Sequence, residues 1–496
     1  MRRTGRPLAA GLVVVALAVT GVTAVPAVAS SSATSQLSWH RCGSRLRCSG
    51  LSVPVDYSDP SGAHLRLALV ELPATSAHVI GDLVMNPGGP GGSGVQFLES
   101  TSFPAALRSS FNLVSFDPRG IGQSDPVSCG GPSGLRSLIA LDPAPETAGE
   151  VAVVARAWKD FDRSCTEHTS TALLDNVGTL DTVQDLDRIR AALGEPKLDY
   201  MGFSYGTYIG ELYAQMFPSH VRAMVLDGVV DPALSTSTTV EQQAEGFEAD
   251  LGDFFAWCPG NKACASELPQ GAKAAYEELF GRFAAGHDLL VDLRPQYGGR
   301  QEVTLGVAET ALVSSLYSDQ TWPYLATAIS QGLAGNGVLF VALAYALEGL
   351  MPNGSFANLI AAGTAINCVD RPYPSQVSAY EALAARLAKL APDFGAADAW
   401  SNVACAYWPI PAEGKPGPVH ADGSPPILLI GSTGDPATPY LWAQAMARQL
   451  AHAELLTRTG PGHTGYTYST CVQRWADRYL ATLELPPPNT VCASTN

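Results

Sequence analysis

Through its first half the chain alternates short continuous apolar runs with stretches in which apolar residues recur every three or four positions. The runs Val79–Met85, Phe111–Phe116, Leu198–Met201 and Val221–Leu226 read as buried strands, and Leu51–Leu72 as strands around the turn Asp59-Pro-Ser-Gly62. Leu180, Val183, Leu186, Ile189 and Leu193 form one stripe of a predicted helix. Tyr205, Tyr208, Ile209, Leu212, Tyr213 and Met216 form another, directly after a strand. Strands alternating with helices predict a mostly parallel sheet covered on both faces. From about Pro232 the rhythm changes to helix-prone stretches: Val240–Trp257, Ala272–Ala284, Val338–Leu350 and Ser378–Leu390. The apolar part of the third, Val338–Leu347, is too short to span a bilayer. Pro425–Ile430 resumes the strand pattern, followed by a helix near Leu441–Leu450, a strand Glu454–Thr457 and a last helix over Cys471–Thr482. The expected organisation is a core in two parts, 41–232 and 425–496, interrupted by a mainly helical insertion over 233–424. The proline-rich stretch Pro409–Pro426 leads back from insertion to core.

The N-terminus sets the compartment. Arg2, Arg3 and Arg6 precede an apolar stretch that closes on Ala27-Val28-Ala29, so residues 1–29 read as a secretory signal and 30–40 as a propeptide or flexible tail. Export predicts a secreted, extracellular protein with no membrane attachment once the signal is removed. The signal carries three of the 30 basic residues and none of the 46 acidic ones, leaving the remainder at 27 − 46 = −19. Such a surface repels phosphate backbones, which argues against nucleic-acid partners. Ten cysteines suit disulfides in an oxidising compartment. Neighbour pairing would join Cys42–Cys48, Cys129–Cys165, Cys258–Cys264, Cys368–Cys405 and Cys471–Cys492, although sequence leaves connectivity open. No CxxC or HExxH spacing suggests a metal, and no cofactor is expected.

Four loops, each at a strand end, carry candidate chemistry. Gly202-Phe203-Ser204-Tyr205-Gly206 fits G-x-S-x-G between a strand and a helix, the setting of a nucleophile elbow. The Gly88–Gly94 loop lets backbone N–H groups approach a ligand, and lacks the register of a phosphate loop. It predicts an oxyanion hole built from the N–H of Gly89, with Gly88 as the alternative, and the N–H of Tyr205. Asp435, after the strand Ile427–Ile430, is placed to orient a histidine, with Thr438 bracing its loop. His463 is flanked by Gly462 and, beyond Thr464, Gly465, which predicts an exposed imidazole on a mobile loop. Ser, then Asp, then His is the order of the α/β-hydrolase triad. Ser204 would attack, His463 would take and return the proton near an unperturbed pKa, and Asp435 would fix the tautomer. Asp117 and Arg119 read as loop-bracing groups.

With these residues in place, the chain resembles the secreted tripeptidyl aminopeptidases of actinobacteria, relatives of the proline iminopeptidases. The resemblance rests on MNPGGPGGSG (85–94), FDPRGIGQSDP (116–126), GFSYGTYIGELYAQMFP (202–218), AINCVDRP (365–372), STGDPATP (432–439) and GHTGY (462–466). Pro87 stands where the oxyanion loop of proline iminopeptidases has a histidine. The resemblance implies an α/β-hydrolase fold whose helical insertion caps the site. It also implies a secreted serine exopeptidase that removes short peptides, typically tripeptides, from the free N-termini of peptides or unfolded proteins; a monomer is expected. Such an enzyme needs groups to hold the substrate ammonium, and Asp370 is the leading sequence candidate. Two readings compete: a secreted esterase or amidase for small acyl compounds, and a catalytically dead hydrolase fold used for binding.

Overall fold

The computed structural model describes residues 37–493; the signal segment 1–29 and most of the 30–40 tail lie outside the described residues. Among the described residues ten strands form one sheet in the order β1-β2-β3-β5-β4-β6-β7-β10-β11-β12. Their ranges are β1 His40–Arg41, β2 Arg47–Pro54, β3 His64–Leu72, β4 Gly81–Asn86, β5 Phe111–Phe116, β6 Leu198–Phe203, β7 Val221–Asp227, β10 Ile427–Gly434, β11 Ala453–Pro461 and β12 Val491–Cys492. From β5 to β12 every pairing is parallel, whereas β1, β2 and β3 join antiparallel. The antiparallel edge comes from the tight turn at residues 59–62, which leaves no room for a crossover.

Alternation along the parallel strands sends side chains to two separate cores. Val84, Tyr200 and Leu226 pack with helices Thr179–Leu193 and Tyr205–Met216 on one face. Leu83, Met85, Met201 and Ile430 pack with helices Gly94–Ser100 and Thr470–Thr482 on the other. Burying one such Leu or Ile contributes roughly 1.5–3 kcal/mol, so both faces hold the sheet firmly. The helix stripes predicted from sequence run slightly too far. Leu180 and Met216 are 40% and 39% exposed: Leu180 projects to solvent although Thr179, Thr182 and Val183 beside it are buried, and Met216 is the last residue of its helix.

Between β7 and β10 the chain leaves the sheet and builds a third core around Phe247, Phe254, Leu312, Trp322 and Phe340. This region is mainly helical, but it also contains an antiparallel hairpin, β8 Leu289–Asp292 with β9 Arg300–Val303. The hairpin follows from the glycine turn Gly298-Gly299, both residues at positive φ. The ten cysteines pair as Cys42–Cys48, Cys129–Cys165, Cys258–Cys264, Cys368–Cys405 and Cys471–Cys492. Two buried polar clusters fasten the loops above the sheet. Arg119, fully buried, pairs with both oxygens of Asp185 at 2.7 and 2.8 Å and donates to the carbonyls of Pro54, Val55 and Asn176. Asp117 accepts from Ser93 Oγ at 2.6 Å, Val95 N at 3.0 Å and Gln123 N at 2.8 Å, tying the Gly88–Gly94 loop to the β5 turn.

Candidate active site

Ser204 sits between β6 and the helix Tyr205–Met216 with φ 54° and ψ −127°, a conformation that costs a non-glycine residue on the order of 1–3 kcal/mol. Its neighbours make that turn sterically possible. A Cβ on Gly202 would lie 2.3 Å from the Gly206 carbonyl, and one on Gly206 would lie 2.7 Å from the Asn86 carbonyl. The strain is held by Ser204 N–H donating to Asp227 O at 2.9 Å, and by Thr207 N–H and Oγ1 donating to Ser204 O at 2.8 and 2.7 Å.

At the ends of β10 and β11 the other two loops converge. His463 Nδ1 lies 2.9 and 3.0 Å from the two oxygens of Asp435. Asp435 also accepts from Ala437 N, Thr438 N, Thr438 Oγ1 and Thr464 N, at 3.0, 2.8, 3.0 and 3.1 Å. Those donors fix the carboxylate, and the carboxylate fixes the ring. His463 Nε2 is buried without a hydrogen-bond partner. The ring is adjacent to the serine loop: Gly228, whose added Cβ would lie 3.1 Å from His463 Cε1, follows the Asp227 whose carbonyl holds Ser204 N–H. No hydrogen bond joins Ser204 Oγ to Nε2 here; such contacts commonly tighten only with substrate in place.

The structure corrects the expectation of an exposed imidazole: His463 is 8% exposed. Tyr317, from the helical insertion, stacks edge-on over the ring at 5.3 Å, and its carbonyl accepts His463 N–H at 2.9 Å. The flanking glycines serve the backbone path instead, with Gly462 at φ 103°. Burial disfavours the imidazolium, but the charge and hydrogen bond of Asp435, helped by Asp227, outweigh it and raise the pKa above the usual 6.5. The base therefore protonates at higher pH than an unperturbed histidine.

Asp227 escaped the sequence reading. It is fully buried at the end of β7 and accepts from Gly465 N at 2.8 and 3.0 Å and Tyr466 N at 2.7 Å, pinning the chain just after His463. Burial raises its pKa to about 7, against the pull of those N–H groups. The sequence signal was an acid closing an apolar strand.

The Gly88–Gly94 loop crosses in front of the serine, and a Cβ on Gly88 would lie 3.0 Å from both Ser204 Cβ and Tyr205 N. Gly88 N–H is already donated to Asn86 Oδ1 at 2.9 Å, which leaves Gly89 as the better-placed loop donor. Tyr205, first in its helix, has no helical acceptor for its own N–H.

A chamber of about 200 Å3 opens onto this site, lined by Ser204, Tyr205 and Gly89 from the sheet side and by Gln243, Tyr317 and Asn367 from the insertion. Asp370 is on its wall, at the end of helix Leu359–Asp370. Its carboxylate accepts from Thr179 N at 2.7 Å and from Thr179 Oγ1, so it caps the helix Thr179–Leu193. Burial raises its pKa to about 6 despite those bonds. Each oxygen accepts one hydrogen bond from Thr179, which gives Asp370 a structural part in capping that helix. Among the described residues no group of three His, Cys, Asp or Glu side chains is arranged to hold a metal ion. None of the described helices is long and apolar enough to cross a membrane.

Residues 83–289 match the α/β-hydrolase fold family, and residues 391–492 match the TAP-like protein family. The chain is 33% identical over 453 residues to serine protease Hip1 of Mycobacterium tuberculosis, covering 90% of this chain and 87% of that protein. It is 32% identical over 485 residues to tripeptidyl aminopeptidase of Streptomyces lividans, covering 94% and 88%. Carboxylesterase B of Mycobacterium tuberculosis is similar at 32% over 478 residues, covering 92% and 90%.

Proposed function

The chain belongs to the tripeptidyl aminopeptidase-like serine peptidases of the α/β-hydrolase family, and from that premise we propose that it is an exported exopeptidase releasing short peptides, tripeptides foremost, from free N-termini. The observation that carries this reading is the narrow chamber of about 200 Å3 beside Ser204, walled on one side by the insertion. A folded polypeptide does not enter such a space, whereas a chain end does. Export is supported by the signal-like N-terminus and by five disulfides, which persist in oxidising compartments.

In the proposed reaction Ser204 Oγ attacks the scissile carbonyl while His463 Nε2 takes its proton. The imidazolium is stabilised by Asp435, whose pairing with Nδ1 fixes the tautomer. Negative charge on the carbonyl oxygen is met by the N–H groups of Gly89 and Tyr205, at the positive end of the helix Tyr205–Met216. The C–N bond breaks as His463 returns the proton to the leaving amine, giving an acyl-enzyme that water hydrolyses by the same relay.

The test is mass spectrometry of products from a peptide library presented with free and with acetylated N-termini. Tripeptides released from the free set alone support the reading. Equal rates on blocked substrates overturn it in favour of an esterase or amidase, the reading that the carboxylesterase-named relative favours.

A further inference from the structure

A second chamber, about 530 Å3 in volume, adjoins the one over Ser204; Tyr317, Asn367 and Asn402 line both. Glu309, Glu348, Asp398 and Asp142 line it, and no Lys, Arg or His does. Asp142 is occupied by Ala144 N at 3.0 Å. The Glu309 and Glu348 side chains form no hydrogen bond or ion pair, and Asp398 Oδ2 is buried without a partner. The three acids are half-buried at the chamber wall with no basic side chain lining it, a costly arrangement, since carboxylates drawn out of water are normally paired. The price shows in their protonation. Burial pushes Glu348 and Asp398 up to about 7, and it raises Glu309 well above its usual range with help from Asp398 and Asp142. The wall is complementary in charge to a cationic group.

Among the described residues no group of three His, Cys, Asp or Glu side chains is arranged to hold a metal ion, so these acids suit an organic cation that meets them one at a time rather than a chelated metal. The rest of the wall is apolar and aromatic, including Trp158, Phe394 and Trp400. Tyr317 connects this chamber to the catalytic pair: its ring packs on His463, and burial together with the charges of Asp435, Glu348 and Asp398 raises its phenol pKa. We infer that this second chamber seats the substrate's α-ammonium among Glu309, Glu348 and Asp398, with an apolar first side chain against its aromatic wall. The inference rests on the exopeptidase reading and deepens it. It makes the enzyme selective for unblocked peptides whose first residue is apolar, and it moves amine capture away from Asp370.

The test compares kcat/KM for tripeptide anilides with free and with acetylated N-termini, in the wild type and in Glu309→Gln, Glu348→Gln and Asp398→Asn. The ratio of free to blocked rates should fall about 10- to 100-fold in at least one variant, the scale of a lost charged hydrogen bond. A misfolded variant lowers both rates alike and leaves the ratio standing, so the ratio separates the two causes. If the wild type favours free amines and all three variants keep its ratio, the inference is wrong and the exopeptidase reading survives. If the wild type shows no such preference, the exopeptidase reading itself fails. In a matched series varying only the first residue, Leu should exceed Asp by at least about tenfold; no discrimination would remove the aromatic wall from the binding role.

Discussion

Replacing Asp435 with asparagine keeps the volume and removes one charge, so its effect can be worked from the contacts. Both carboxylate oxygens act as acceptors, for His463 Nδ1 at 2.9 and 3.0 Å and for four loop donors. An amide must turn its NH2 toward one of these groups, so either the loop or the imidazole loses its acceptor. An imidazolium and a carboxylate with charge centres about 4 Å apart attract by about 4 kcal/mol at an effective dielectric near 20. That corresponds to about three orders of magnitude in a step that forms the imidazolium, and the wrong tautomer takes the expected loss in kcat to about 10^4. The pH profile supplies a second sign. Burial alone lowers the His463 pKa, and Asp435 is the main group lifting it above 6.5. The neutral ring is the base, so wild-type activity falls as pH drops through the raised value. In the Asp435→Asn variant this acid limb should move to lower pH. Steady-state kinetics on a free-amine tripeptide anilide between about pH 5 and 9 would measure both effects. A loss under about tenfold, or an acid limb that stays or rises, would refute the pairing as the source of reactivity.

Three further predictions follow from other contacts. Arg119→Ala leaves Asp185 buried with Tyr57 as its remaining side-chain partner and should cost about 3–5 kcal/mol of stability, read by denaturant unfolding; a change under 1 kcal/mol would contradict the bracing role. Gly88→Ala, at φ 91° with its Cβ 2.4 Å from Phe203 O, should displace the oxyanion loop and lower kcat about 10- to 100-fold, while an unchanged kcat would show the loop is not part of the site. Reduction should lower the thermal midpoint, because the bridges Cys129–Cys165 and Cys368–Cys405, at separations of 36 and 37 residues, each contribute about 3–4 kcal/mol in the loop-entropy picture. It should also raise KM, since Cys368–Cys405 ties the helix bearing Asn367 to the segment after Asn402; a midpoint indifferent to reductant would count against both.

What could be read from the chain depended on whether the signal was local. Buried parallel strands are apolar runs, and the ends of β6, β10 and β11 were visible as such, which put Ser204, Asp435 and His463 on loops at one edge of the sheet. The antiparallel edge was less visible, because a turn between two apolar stretches does not state which neighbour the strands choose. Long-range cover was not visible at all. Nothing near His463 announces that Tyr317, 146 positions earlier (463 − 317), closes over it. The partner that Asp370 finds, Thr179, lies 191 positions away and left no mark near it in the sequence. Glu309, Glu348 and Asp398 are scattered acids on helices or their ends, and in sequence an acid facing a chamber is indistinguishable from one facing water.

The most direct test of the whole account is where an active-site phosphonate attaches. Incubating the folded protein with a fluorophosphonate and mapping the adduct by peptide mass spectrometry should find a single modified residue, Ser204, with labelling absent in Ser204→Ala and strongly slowed in His463→Ala. An adduct on another residue, or undiminished labelling of the Ser204→Ala protein, would mean that the strained turn after β6 does not carry the nucleophile.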